Sequence, residues 1–436
     1  MLRKPLHAAL LASLFVVAAC EDGNPNEPIV IEKPTQPGGH DTSSVGVPLP
    51  NPPTKTCPPA TTGEPCVNGA PFTQSGAHDI SPSISGNIFD MAAVDNTLYL
   101  NFGNNVLPLN RSKDAATTAV TYAEGSLIPL TGLNRPIAVC SGKIYSSRAG
   151  ALIDEIDINS KQVTRVINSS QPFTTSEITE LACNSNGNTL LVGTADRSVF
   201  AYNLVSNTST RFSDSTSTSG NMTLADFCSD GSKFIAAGVS NAGGPGGTTV
   251  YPVTIVAISG SSNTMYYPQF AARKPVASVA CGKWPASAAG DSTVRIYDPA
   301  LLTNDQFVEK CIKLADGNPT QVASWAGHDV VAVGSLNKDS TSNVMVWHVG
   351  TPTCDLLWHS EAAVTNGPIT GLRFTPDGQL EIAGARRVVS FVMNKTAGGD
   401  LIPESNSMTK KWAMIEEGFD QRPEVQMELR AQKARF

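Results

Sequence analysis

The residues with the widest chemical range in this chain are its nine cysteines. Cys20 follows Val17-Ala18-Ala19. Cys57 and Cys66 stand in a proline-rich stretch. Cys140, Cys183, Cys228 and Cys281 each close a short apolar run, and Cys311 and Cys354 lie 43 residues apart. A thiol can carry a lipid, hold a metal, relay electrons or bond a second thiol. The chain contains no Cys-x-x-Cys, so the spacing of a zinc site or a dithiol redox centre is missing. The four cysteines from 140 to 281 sit at equivalent positions of separate strands, and we read them as buried apolar fillers between sheets. For Cys311 and Cys354 the pattern leaves both a bridge and two free thiols open.

Other groups that could do chemistry are sparse. Asp154-Glu155-Ile156-Asp157 gathers carboxylates, but on an alternating strand and without the spacing of a calcium loop, so a solvated strand face is expected. The cluster Gly243-Gly-Pro-Gly-Gly247 is not followed by Lys-Ser or Lys-Thr and reads as a long hairpin. His328, His348 and His359 have no metal-type spacing, and no Gly-x-Ser-x-Gly marks a nucleophile elbow. No catalytic residue, metal or cofactor is therefore assigned.

The N-terminus speaks more clearly. Arg3 and Lys4 precede an apolar run over residues 10–19 that is too short to cross a bilayer as a helix. With small residues before Cys20, Val17-Ala18-Ala19-Cys20 resembles the lipobox of bacterial lipoproteins. The resemblance implies cleavage before Cys20 and a diacylglycerol on its thiol. An ordinary secretory signal would export the chain equally. Glu21 is not the Asp that marks inner-membrane retention, which points to the outer membrane. Removing residues 1–19 takes away two positive charges, so the mature chain is more acidic than the formal −7 of the whole, and a nucleic-acid partner is not expected.

Residues 20–71 form the first change of composition. Residues 21–71 hold twelve prolines and no Phe, Trp or Tyr, too little apolar area to offset the entropy of ordering, and a disordered tether is expected. As coil it would reach roughly 40 Å, and as polyproline II at most about 160 Å. Cys57 and Cys66 would close a local disulfide loop in an oxidising compartment.

From residue 84 a unit recurs. A short apolar strand ends in Cys or an aromatic, a polar turn follows, and two further β-rich runs come next, as in Ile178-Thr-Glu-Leu-Ala-Cys183, Asn184-Ser-Asn-Gly187, Thr189-Leu-Leu-Val-Gly193 and Ser198-Val-Phe-Ala-Tyr202. The closing residues Cys140, Cys183, Cys228, Cys281, Trp325 and Phe374 are 43, 45, 53, 44 and 49 residues apart. With Ile88-Phe-Asp-Met-Ala92 as the first copy, seven units are counted. That period predicts an all-β, seven-bladed propeller of four-stranded antiparallel sheets over residues 72–407. Completion of the last blade by the segment near residues 72–84 is favoured over the region near Trp412.

Third strands end in an aromatic and a polar residue: Tyr202-Asn203, Tyr297-Asp298 and Trp347-His348. There, and at Phe374-Thr-Pro-Asp-Gly378, the chain resembles WD-repeat propellers over roughly residues 84–400, without the Gly-His and buried Asp of eukaryotic repeats. The resemblance implies a monomeric binding scaffold. Residues 408–436 are rich in charge, and Trp412, Met427, Leu429 and Phe436 are the candidate anchors for a partner. The expectation is a lipoprotein whose propeller binds an envelope protein or surface ligand. The alternative is a lyase-like or quinoprotein-like propeller enzyme working at the central channel.

Overall fold

A computed structural model describes residues 72–416 apart from 116, 133–135, 150, 168–176, 196–197, 213–220, 229–230, 240–250, 252, 260–261, 269–273, 301–305, 308, 351–353, 361, 394–408, 410 and 414. Cys20, Cys57, Cys66, Met427, Leu429 and Phe436, the proposed tether and the Gly243–Gly247 cluster lie outside the described residues.

The described strands form seven sheets, antiparallel apart from the short Gln306–Phe307, which pairs in parallel with Ser262–Pro268. Blade 1 runs from Asp90–Val94 to Val120–Glu124, blade 2 from Ile137–Cys140 to Val163–Ile167, and blade 3 from Ile178–Cys183 to Thr208–Arg211. Blade 4 runs from Asn221–Phe227 to Ser262–Pro268, blade 5 from Val276–Cys281 to Glu309–Leu314, and blade 6 from Asn318–Ser324 to Asp355–His359. Blade 7 comprises Ile369–Phe374, Gln379–Gly384 and Arg387–Met393, and its fourth strand is Phe72–Asp79 from the other end of the chain. Closure by the N-terminal strand, as expected, joins the two ends of the ring with main-chain hydrogen bonds.

The middle strands explain why the sheets stack. In blade 3, Leu190, Leu191, Val192, Val199 and Phe200 are fully buried. Because successive side chains on a strand point to opposite faces, Leu190, Val192 and Phe200 pack against Cys140, Tyr145 and Ile153 of blade 2. Leu191 and Val199 pack against Ala225, Phe227 and Phe234 of blade 4. A sheet apolar on both faces has no solvent side, and burying each large side chain is worth about 1.5–3 kcal/mol. Only a neighbouring blade on each side satisfies it.

A β-bulge recurs near the start of the innermost strand in blades 3 to 7, between Ile178 and Glu180, Met222 and Leu224, Val276 and Ser278, Pro319 and Gln321, and Ile369 and Gly371. The extra residue bends and twists the strand, which suits a strand that lines an axis.

The polar pairing missing from the eukaryotic pattern is supplied elsewhere. At the seam between blades 1 and 7, Arg111 Nε lies 2.7 Å from Glu381 Oε1, both side chains almost fully buried. Tyr122 donates to Glu381 Oε2 (2.6 Å) and Ser390 to Oε1 (3.0 Å). Burial pushes the Glu381 carboxyl upward, and burial beside Glu381 pushes the Tyr122 phenol upward as well.

The C-terminal region also joins the fold. Described residues between 409 and 416 are helical. Trp412 is buried there among Cys311, Trp347, Cys354 and Leu356 of blades 5 and 6, with the partly buried Ile415 beside it, and stacks on His359. Thr409 accepts from the His359 backbone N–H, and Glu416 from the Trp347 indole. Trp412, expected as a partner anchor, spends its apolar surface inside its own chain.

Candidate functional site: the central channel and the seams around it

Every innermost strand contributes to one axial cavity of about 880 Å³. Its ionisable lining residues are Asp90 and Asp95 of blade 1, Glu180 of blade 3, Asp226 of blade 4, His328 in the first turn of blade 6 and Arg373 of blade 7. The innermost strands of blades 2 and 5 add no charged side chain, and that of blade 6 presents Gln321, which accepts from Ser278 of blade 5.

The three central carboxylates, Asp90, Glu180 and Asp226, are half-buried and line the cavity. Asp90 Oδ2 accepts from the backbone N–H of Ile137 in blade 2 and Oδ1 from its neighbour Met91, both at 2.8 Å. Asp226 Oδ2 accepts from the backbone N–H of Cys281 in blade 5 at 3.0 Å. Asp90 and Asp226 therefore each tie their own blade to the next. Desolvation nevertheless dominates: it raises Asp90 to about 6 against the pull of those N–H groups and Arg373, and raises Asp226 in the same way. Glu180 is pushed well above the usual range by desolvation and by the negative charges of Asp90 and Asp226. Among the described residues no three His, Cys, Asp or Glu side chains gather in the manner of a metal site.

At one end of the channel the reading of the cysteines as fillers is overturned. Cys140 of blade 2 bonds Cys183 of blade 3, and Cys228 of blade 4 bonds Cys281 of blade 5, with Cα–Cα separations of 5.8 and 4.2 Å. Equivalent strands do radiate toward the rim, but at the axis they converge, and equivalent positions come within disulfide reach. Blades 6 and 7 meet at the same level through Trp325 and Phe374. Farther out, Cys311 of blade 5 bonds Cys354 of blade 6, which decides the open question in favour of a bridge. An even set of cysteines at one repeat position was the available signal.

The Asp154–Asp157 run also departs from expectation. Glu155 and Asp157 face partly outward, with Arg165 and Lys143 beside them, whereas Asp154 is fully buried with Arg148 Nη1 3.5 Å away. Alternation sent one of the three carboxylates inward. His359 is buried beside Asp316, and His328 lies against Trp325 with its ring tilted by 36°. The strands flanking the Gly243–Gly247 cluster, Lys233–Val239 and Val253–Ser259, pair as the two arms of a hairpin.

The aromatic residues that end the third strands are anchors. Tyr297 is fully buried and its hydroxyl bonds the Ser287 hydroxyl on the neighbouring strand, while Trp347 is fully buried and donates to Glu416. Together with seven closed blades and N-terminal completion, this decides the architecture. The fold is a WD40-type seven-bladed β-propeller. The chain is similar to a chain in the crystal structure of the mitotic checkpoint complex (TM-score 0.55, 14% identity, covering 81% of this chain and 99% of that one). It is also similar to U3-55K (TM-score 0.52, 15% identity, 74% and 98% covered) and to the WD40 repeats of RRP9 (TM-score 0.54, 15% identity, 74% and 100% covered). No family model and no curated protein matches the sequence. At this identity the likeness carries the WD40-type fold.

Proposed function

We propose that this propeller is an exported scaffold, held to the outer membrane of a bacterium by lipid on Cys20, which presents its blade loops to an envelope protein or a surface ligand. The observation that carries export is the trio of blade-to-blade disulfides, Cys140–Cys183, Cys228–Cys281 and Cys311–Cys354. Such bonds persist in the periplasm or at the cell surface and are rare in a reducing cytosol. They agree with the signal-like N-terminus and Cys20. The scaffold role is supported by the WD40-type fold, commonly a platform for protein interaction, and by one similar chain belonging to a multiprotein complex. Rigid blades hold variable loops on a broad surface.

Replacing Cys20 by Ser tests the anchor. The mature chain leaves the membrane fraction if the proposal holds, and continued membrane association rejects it. Recovery of a partner from solubilised envelopes, compared with a chain ending at residue 407, tests the tail: unchanged recovery removes Met427, Leu429 and Phe436 as anchors.

The enzyme reading draws on one observation, the meeting of Asp90, Glu180, Asp226 and Arg373 in the channel. A screen of small molecules for thermal protection separates the two. A compound whose protection is lost in Glu180→Gln and Arg373→Gln favours an enzyme, while protection by none alongside capture of a protein favours the scaffold.

A further inference from the structure

The channel contains groups that the fold alone does not require. Four carboxylates, Asp90 and Asp95 of blade 1, Glu180 of blade 3 and Asp226 of blade 4, share one cavity with a single guanidinium from blade 7. Two of them reach the backbone of the following blade, Asp90 to Ile137 and Asp226 to Cys281, while Glu180 faces both of their charges. A carboxylate shut into confined, poorly hydrated space is costly to ionise, and like charges beside Glu180 add to that cost.

We propose that the central channel is a proton-linked lock: its carboxylates, gathered in one poorly hydrated cavity beside a single guanidinium, cost the ring stability when ionised, and proton uptake on mild acidification removes that cost and tightens the ring. The device operates whichever partner the propeller carries. Asp90 faces Arg373 and, across the cavity, Glu180. Glu180 faces Asp90 and Asp226, and Asp226 faces Glu180 and Arg373. Asp95 and His328 complete the ionisable lining.

The direction follows from linkage. A carboxylic acid whose pKa is higher in the folded chain than in the unfolded one binds its proton more tightly when folded, so stability falls as pH rises through that interval. For Asp90 the interval runs from 3.8 to about 6, and the upward shifts of Glu180 and Asp226 act in the same sense. An opposite trend sets in at lower pH. Asp157 is held down to about 2 by the Ser160 backbone N–H and by Lys143, and its contribution disappears as pH falls from 3.8 toward 2. The ring is thus most stable in mildly acidic solution.

Thermal unfolding of the full chain between pH 8 and pH 4.5 tests this. The unaltered chain should gain about 2–4 °C in Tm as pH falls from 8 to 5. Glu180→Gln should raise Tm at pH 8 and flatten the profile, and Arg373→Gln should steepen it. A flat or falling profile in the unaltered chain, or a Glu180→Gln variant with the full slope, overturns the proposal. Where a variant does not fold, proton exchange on unfolding the unaltered chain at pH 6 gives the answer: release of about one proton or more per chain supports the lock, and net uptake overturns it.

Discussion

Trp325 and Phe374 stack with their ring centroids 5.7 Å apart and their planes 13° from parallel, at the ring position where Cys140 meets Cys183 and Cys228 meets Cys281. Blades 2 and 3, 4 and 5, and 6 and 7 are thus closed in pairs by whatever residue ends the innermost strand, covalently in two cases and by an aromatic stack in the third. Gly378 makes room for the stack. Its φ is +84°, and a Cβ there would stand 2.8 Å from the Trp325 ring.

Removing the stack should act like removing a staple. Trp325→Ala empties a buried site and should cost about 3–5 kcal/mol of stability, read as a lower midpoint in chemical denaturation. Trp325→Phe should recover much of the loss, because it keeps a ring facing Phe374.

The disulfides should matter by a comparable amount. Loops of 43 and 53 residues are closed by the two axial bonds, and the chain-entropy model gives about 4 kcal/mol for each. Cys183→Ser with Cys140→Ser should lower the unfolding midpoint, and added reductant should then have less effect than on the unaltered chain.

At the closing seam, Glu381→Ala strips the buried Arg111 Nε and the Tyr122 and Ser390 hydroxyls of their acceptor, leaving Arg111 only Asp377 and Gln379 at Nη2, and should destabilise by about 3 kcal/mol. Amide exchange should rise first in Phe72–Asp79, the strand that completes blade 7. Exchange that rises evenly around the ring would argue against this seam as the weak point.

The C-terminal helical segment should behave as part of the propeller. Trp412→Ala removes a buried ring from between blades 5 and 6, with an expected cost of about 3 kcal/mol. A chain ending at residue 407 should show the same loss and a shifted Trp347 fluorescence, because Glu416 no longer accepts from its indole.

The sequence carried the architecture because a blade must be apolar on both faces. The runs around Leu190 and Phe200 announce that with a period close to 45 residues, and completion by the N-terminal strand follows from the need to cover an edge. The site was harder to see. Asp90, Glu180, Asp226 and Arg373 occupy different registers on four separate strands, and ring closure alone brings them together. The cysteine pairs were hidden for the same reason: strands that diverge at the rim converge at the axis. Trp412 looked like a free anchor because its burial depends on blades 5 and 6, distant in sequence.

Disulfide mapping of the protein purified from its host, alkylated without reduction and digested, tests export and blade stapling together. The account predicts Cys140 linked to Cys183, Cys228 to Cys281 and Cys311 to Cys354. Six alkylated thiols at these positions would contradict it.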